Sequence, residues 1–164
     1  MNIFVLSLNA REAAKMHLDK HVVKMILEYA QLLSTAHRIL DEDVDERMYK
    51  LTHKNHPCTI WTRQSSSNYL FLYNLFCFLC EEYTYRYGKI HLTEKKLKDV
   101  LKKLPENIPE GTITTWAQAM PDEYKDKSVV QAYRNYYIGA KKDFAKWTKA
   151  PMPYWFKHSS RSIK

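Results

Sequence analysis

Two imidazoles, two ammonium groups and a carboxylate recur at helical spacing in His17-Leu18-Asp19-Lys20-His21-Val22-Val23-Lys24-Met25-Ile26-Leu27-Glu28. With a turn of about 100° per residue, His17, Lys20, His21, Lys24, Glu28, Gln31, Thr35 and Arg38 share an arc of roughly 100°. Leu18, Val22, Val23, Met25, Ile26, Leu27, Tyr29, Leu32 and Leu33 take the remaining arc of about 220°, wider than a surface helix needs. A helix packed over so much of its circumference leaves its polar stripe facing a thin solvent window or a pocket. The mixture of imidazole, amine, carboxylate and amide favours the pocket, against the plain alternative that every amphipathic helix has a wet side.

Histidine suits proton transfer near neutral pH, and His17 and His21 stand one turn apart. Lys20 and Lys24 form a second such pair, and like charges one turn apart favour the neutral, nucleophilic amine. Glu28, at i+4 from Lys24, favours that lysine's charged form, so Lys20 is the better nucleophile on electrostatics and Lys24 the more central one. With Asp19, these six residues are the catalytic candidates. Zinc is the rival chemistry, through His17-x3-His21 and His53-x2-His56. Leu18 stands where the zinc-protease pattern needs glutamate, and no Gly-rich phosphate loop occurs, so neither a metal nor a cofactor is expected.

Aromatics interleave with Arg, Asn and Gln in residues 61–69, 115–121 and 133–137, a combination that can stack a base and read its edge. Gln31, His56, Trp61, Arg63, Asn68, Arg86, Gln118, Tyr133, Arg134 and Tyr137 are the substrate-binding candidates. For any one of the twelve tyrosines, core packing is the competing role.

These groups must be positioned by a mainly helical fold. The 164 residues fit one domain, 45% are hydrophobic, and only three glycines and six prolines occur, which disfavours an all-β architecture. The patterning predicts an extended segment over residues 2–8, a long helix from about Ala10 to Leu40, and an apolar central helix beginning within residues 59–66 and ending at Gly88. A lysine-rich helix over 93–103, a proline-punctuated loop over 105–121, a helix over about 127–147 and an extended 151–156 follow. Residues 1–156 read as one helical domain and 157–164 as a basic, disordered tail.

Lys and Arg number 26 against 18 Asp and Glu, a net charge of +8 that makes polyanions the natural partners. The excess lies in two lysine blocks, over residues 89–103 and 141–164, while residues 41–46 are acidic. Either block could equally be a solubilising face or a phosphate track. Cys77 and Cys80 fall inside an apolar helical pattern and read as small core residues, which suits a reducing compartment. No apolar run reaches the roughly 18 residues of a membrane span, and no signal-peptide pattern is present, so an intracellular protein without a membrane partner is expected, as a monomer or small homo-oligomer.

The runs Asp19-Lys20-His21-Val22-Val23-Lys24-Met25, His56-Pro57-Cys58-x2-Trp61, Asn68-Tyr69, Glu82-Tyr83-x2-Arg86-Tyr87-Gly88-Lys89, Ala119-Met120-Pro121 and Tyr133-Arg134-x-Tyr136-Tyr137 resemble a family of small uncharacterised proteins of bacteriophages, large DNA viruses and some bacteria. The resemblance spans nearly the whole chain and implies a virus-related intracellular protein. In layout the chain is also similar to the pyrimidine-dimer DNA glycosylases of T4-like phages, through His17-Leu18 on a first long helix, a central apolar helix and an aromatic, basic segment from Tyr136 to Trp155. That similarity implies attack on a sugar by an N-terminal α-amine, freed by removal of the initiator Met and assisted by a first-helix glutamate. Here Asn2 follows Met1, a residue that normally prevents removal, and Lys24 stands at the glutamate's place. The resulting expectation is a glycosylase/lyase on damaged or modified bases, with Lys20 or Lys24 as amine, Glu28 as carboxylate, and DNA preferred over RNA or a nucleotide. The alternatives are a non-catalytic viral module that binds nucleic acid or a host protein, and a metal-dependent hydrolase.

Overall fold

In the computed structural model, which describes residues 1–162, the chain forms seven α-helices and no strand among those residues. An extended N-terminal segment leads into α1 (Ala10–Met16) and α2 (Asp19–Leu40); α3 (Pro57–Gln64), α4 (Ser66–Tyr87) and α5 (Leu92–Leu101) follow. After a long loop with one 3-10 turn (Asp122–Tyr124) come α6 (Val129–Ala140) and α7 (Tyr154–Ser162). The mainly helical expectation holds.

As its apolar circumference requires, α4 is central: α1, α2, α3 and α5 all pack on it, burying Leu72, Leu75, Phe76 and Leu79. Gly88 ends it at φ 70°, the left-handed conformation that a β-carbon would disfavour. The extended segment Ile3 to Leu6 is buried among these helices, where Phe4 stacks on His21 at 4.2 Å.

The long first helix is in fact two. His17 and Leu18 are extended, at ψ 130° and 159°, which separates α1 from α2. The carbonyls freed at the end of α1 find donors elsewhere: Arg86 Nη1 donates to His17 O (2.8 Å), its Nη2 to Lys15 O (2.9 Å), and Trp147 Nε1 to Met16 O (2.8 Å). A similar break falls at Ser65, whose hydroxyl accepts the Asn68 N–H (3.2 Å) as the N-cap of α4.

Two further boundaries differ from the sequence reading. The helix expected to reach residue 147 stops at Ala140, and residues 154–162 are helical in α7 rather than extended or disordered, with Ile163 and Lys164 outside the described residues. No helix among the described residues is long and apolar enough to cross a membrane.

Candidate functional site

The break between α1 and α2 takes His17 off the stripe. His17 Nδ1 meets the Ala13 carbonyl at 2.6 Å, and because a carbonyl can only accept, Nδ1 carries the proton and Nε2 accepts from Tyr29 Oη at 2.8 Å. Both ring nitrogens are thus occupied, which removes His17 as a metal ligand or proton shuttle. His21 Nδ1 pairs with Tyr137 Oη at 2.7 Å, under the Phe4 ring. Burial holds His17 down to about 3 and His21 to about 2, the latter helped by His17, Lys141 and Lys24.

These neutral rings predict a pH-dependent stability. Below pH 6.5 the unfolded chain takes up protons that the folded chain refuses, so stability is full above that pH and falls as pH drops toward the folded values. The slope expected is roughly 1 kcal/mol per pH unit for each ring. Urea unfolding between pH 6.5 and 5, above the range of ordinary carboxylates, measures it; a flat profile contradicts the assignment.

Asp19 and Arg86 serve the same break. Arg86, with a fully buried side chain, also donates to Asp19 Oδ1 (3.0 Å) and to Glu82 Oε1 (3.0 Å). Asp19 further accepts from Thr148 N (2.9 Å) and Thr148 Oγ1 (2.6 Å). Burial pushes the Asp19 carboxyl up, but Thr148 and Arg86 outweigh it and hold it below its usual range. The two residues are a structural clamp instead of a catalytic acid and a substrate ligand.

Most other binding candidates are committed to the fold. Trp61 is buried against Trp116 (ring centroids 4.8 Å apart), and Asn68 ties Trp61 O to Thr114. Gln118 closes the loop on Asp126 through two bonds, Tyr133 Oη donates to Asn2 Oδ1 (2.8 Å), and Arg134 Nε donates to Leu6 O (3.0 Å). Tyr137 is the buried partner of His21. Arg63 donates to Lys54 O (3.0 Å) but is only half-buried, and Gln31 is half-buried as well. The exposed side of α2 is Lys20, Val23, Lys24 and Leu27, so Val23 and Leu27 lie outside the apolar arc expected of them.

What the fold does assemble is an amine against a carboxylate. The Met1 α-amine lies 3.2 Å from Glu28 Oε1, with side-chain exposures of 4% and 12%. Asn2 anchors this end through its bonds to Ala119 O (2.9 Å) and Tyr133. Glu28 Oε2 is buried without a hydrogen bond among the described residues and meets Lys24 Nζ at 3.7 Å. Lys24 is mostly exposed, and Lys20 Nζ is over the Phe144 ring at 4.9 Å, so Met1, which sequence reasoning set aside, supplies the best-placed amine. No local pattern could have found it, because a first residue has no helical register.

His56 borders the same place. It caps α3 by accepting the Cys58 N–H at Nδ1 (3.0 Å), while Cys58 Sγ contacts Asn2 Oδ1 at 3.8 Å. Burial first, then the Met1 ammonium, then His53 lower its pKa. Lys20, Lys24 and Lys141 cluster on the other flank around His21 and Phe144, and among the described residues Lys20 and Lys141 form no ion pair with a carboxylate. An apolar concavity of about 710 Å³ lies elsewhere, beneath Met16, Tyr85 and residues 149–154. No group of three or more His, Cys, Asp or Glu among the described residues is arranged to hold a metal ion. The chain matches no protein-family model, no curated protein and no solved structure in the comparisons made.

Proposed function

We propose that the protein is a nucleic-acid-processing enzyme of the DNA glycosylase/lyase type, with the Met1 α-amine as nucleophile and Glu28 as its proton-transfer partner. The observation that carries this reading is a primary amine 3.2 Å from a carboxylate that is nine-tenths buried. A buried carboxylate within hydrogen-bond reach can take the proton that an ammonium must lose before attack.

In the first step the amine nitrogen bonds to the C1′ carbon of a deoxyribose. The bond from C1′ to the base breaks, its electron pair leaving with the base, which takes up the second proton that the bonded nitrogen sheds. Glu28, having accepted the amine's proton, returns it to O4′ as the sugar ring opens, leaving an iminium at C1′. Loss of a C2′ proton to the carboxylate then expels the 3′-phosphate, and water releases the sugar and restores the amine. The flanking cations Lys20, Lys24 and Lys141 suit a phosphate backbone.

Borohydride trapping on duplex DNA with an abasic site or a damaged base tests the reading. The expected result is a covalent adduct that peptide mass spectrometry places on residue 1, lost by 100-fold or more when Gly-Ser is added before Met1. No adduct on any substrate, or one confined to Lys20 or Lys24, overturns it. The lysines without carboxylate partners also favour a second reading, a non-catalytic nucleic-acid-binding module. That reading predicts salt-dependent binding with no adduct.

A further inference from the structure

We infer that His56 is a substrate-binding residue that donates a hydrogen bond from its Nε2–H to a phosphate oxygen of the nucleic acid beside the Met1 α-amine. The inference rests on the proposed reading and adds a specific ligand contact to it.

Three observations lead there. First, the ring's tautomer is fixed by the backbone: the Cys58 N–H donates to Nδ1 at 3.0 Å, so in the neutral ring the proton is on Nε2. Second, Nε2 makes no hydrogen bond among the described residues on a half-buried ring, so a donor is held ready without a partner. Third, the turn that presents it is unusually constrained. His53 sits at φ 48°, a left-handed conformation that a non-glycine residue adopts at a cost, and its carbonyl accepts the His56 N–H at 3.0 Å while its own ring pairs with Thr52 Oγ1 at 2.8 Å.

The surroundings select an anion. The Met1 ammonium and His53 both act on the His56 ring, and the exposed Lys54 lies in the same turn, its carbonyl held by Arg63 Nη1 at 3.0 Å. With Lys24 across the carboxylate, cationic groups border the amine on both sides. A second protonation of His56 would occur at Nδ1, where it would abolish the cap, so the ring works as a neutral donor and not as a general base.

Amide replacements separate the cap from the donor. Asn places an acceptor near the position of Nδ1 and is a favoured N-cap, whereas Gln reaches the position of Nε2 with an N–H. The readouts are the Kd of a duplex containing a tetrahydrofuran abasic analogue, by fluorescence anisotropy, and the borohydride-trapping rate on a true abasic site. His56→Asn is expected to keep the melting temperature and lose about tenfold in affinity or trapping rate. His56→Gln is expected to lower the melting temperature through the lost cap yet recover most of the affinity. Wild-type affinity in His56→Asn, or equal loss in both variants, overturns the inference. If the wild type binds but forms no adduct, the catalytic reading fails and the anisotropy series alone decides His56. If it does not bind, both fail.

Discussion

Glu28→Gln is expected to slow adduct formation by about 10²- to 10⁴-fold, the range typical of losing a positioned proton-transfer group. Gln has the same shape and its carbonyl can still accept from the Met1 amine at the present 3.2 Å separation. What disappears is the negative charge and the ability to take a proton. The melting temperature should therefore change by no more than a few degrees, and the comparison is single-turnover trapping against a thermal melt. A trapping rate within threefold of wild type removes Glu28 from the chemistry. Lys24→Ala removes only an exposed partner of Glu28, its side chain being 71% exposed, so its effect on the melting temperature should be small and should shrink further at high salt.

The largest stability loss is expected from Arg86→Met. The guanidinium has no solvent exposure and joins two carboxylates, Asp19 and Glu82, to the carbonyls of Lys15 and His17. Removing one partner of a buried ionic network leaves the others desolvated, at about 3–5 kcal/mol. For a chain of this length that corresponds to a fall of roughly 10 °C in Tm. Urea unfolding gives the value directly, and a loss under about 1 kcal/mol would show that the clamp is idle. Adding Glu82→Gln to Arg86→Met should restore part of the loss, because the remaining burden is an unpaired carboxylate, and the double-mutant cycle isolates that share.

The helical class, the centrality of α4 and the pairing of Lys24 with Glu28 were legible because each depends on local pattern: apolar residues all round α4, a terminal Gly88, a carboxylate one turn after Lys24. The α1–α2 break was not. Leu18 offers no side-chain cap, and the donors that satisfy the loose carbonyls come from Arg86 and Trp147, far along the chain. The start of α4 at Ser66 falls inside the expected interval, and the run of hydroxyl residues before Asn68 is its signal; the separate short helix α3 ahead of it was not legible. His17 and His21 misled for a related reason: their i, i+4 spacing describes one helix, whereas the fold puts His17 in the break and His21 in α2 and buries both rings. The Met1 and Glu28 pairing is a purely tertiary fact. Arg134, Tyr133 and Tyr137 were singled out as base readers because arginine and tyrosine suit that task, but the same donors suit the seating of a buried N-terminal segment.

That seating gives the chain an unusual order of assembly. Asn2 is held by Ala119 and Tyr133, and Leu6 by Arg134, all more than a hundred residues later in the chain. Such distant closures make the slowest part of folding, and a growing chain folds what it already has. Until α6 emerges, the bonds from Tyr133 and Arg134 do not exist, and the first residues have only contacts such as Phe4 N–H to Tyr29 Oη (3.1 Å) and Phe4 on His21 to hold them against α2. The Met1 amine would thus gain its full seating beside Glu28 only once α6 has formed, and a chain lacking α6 would hold that end by its α2 contacts without the bonds to Asn2 and Leu6.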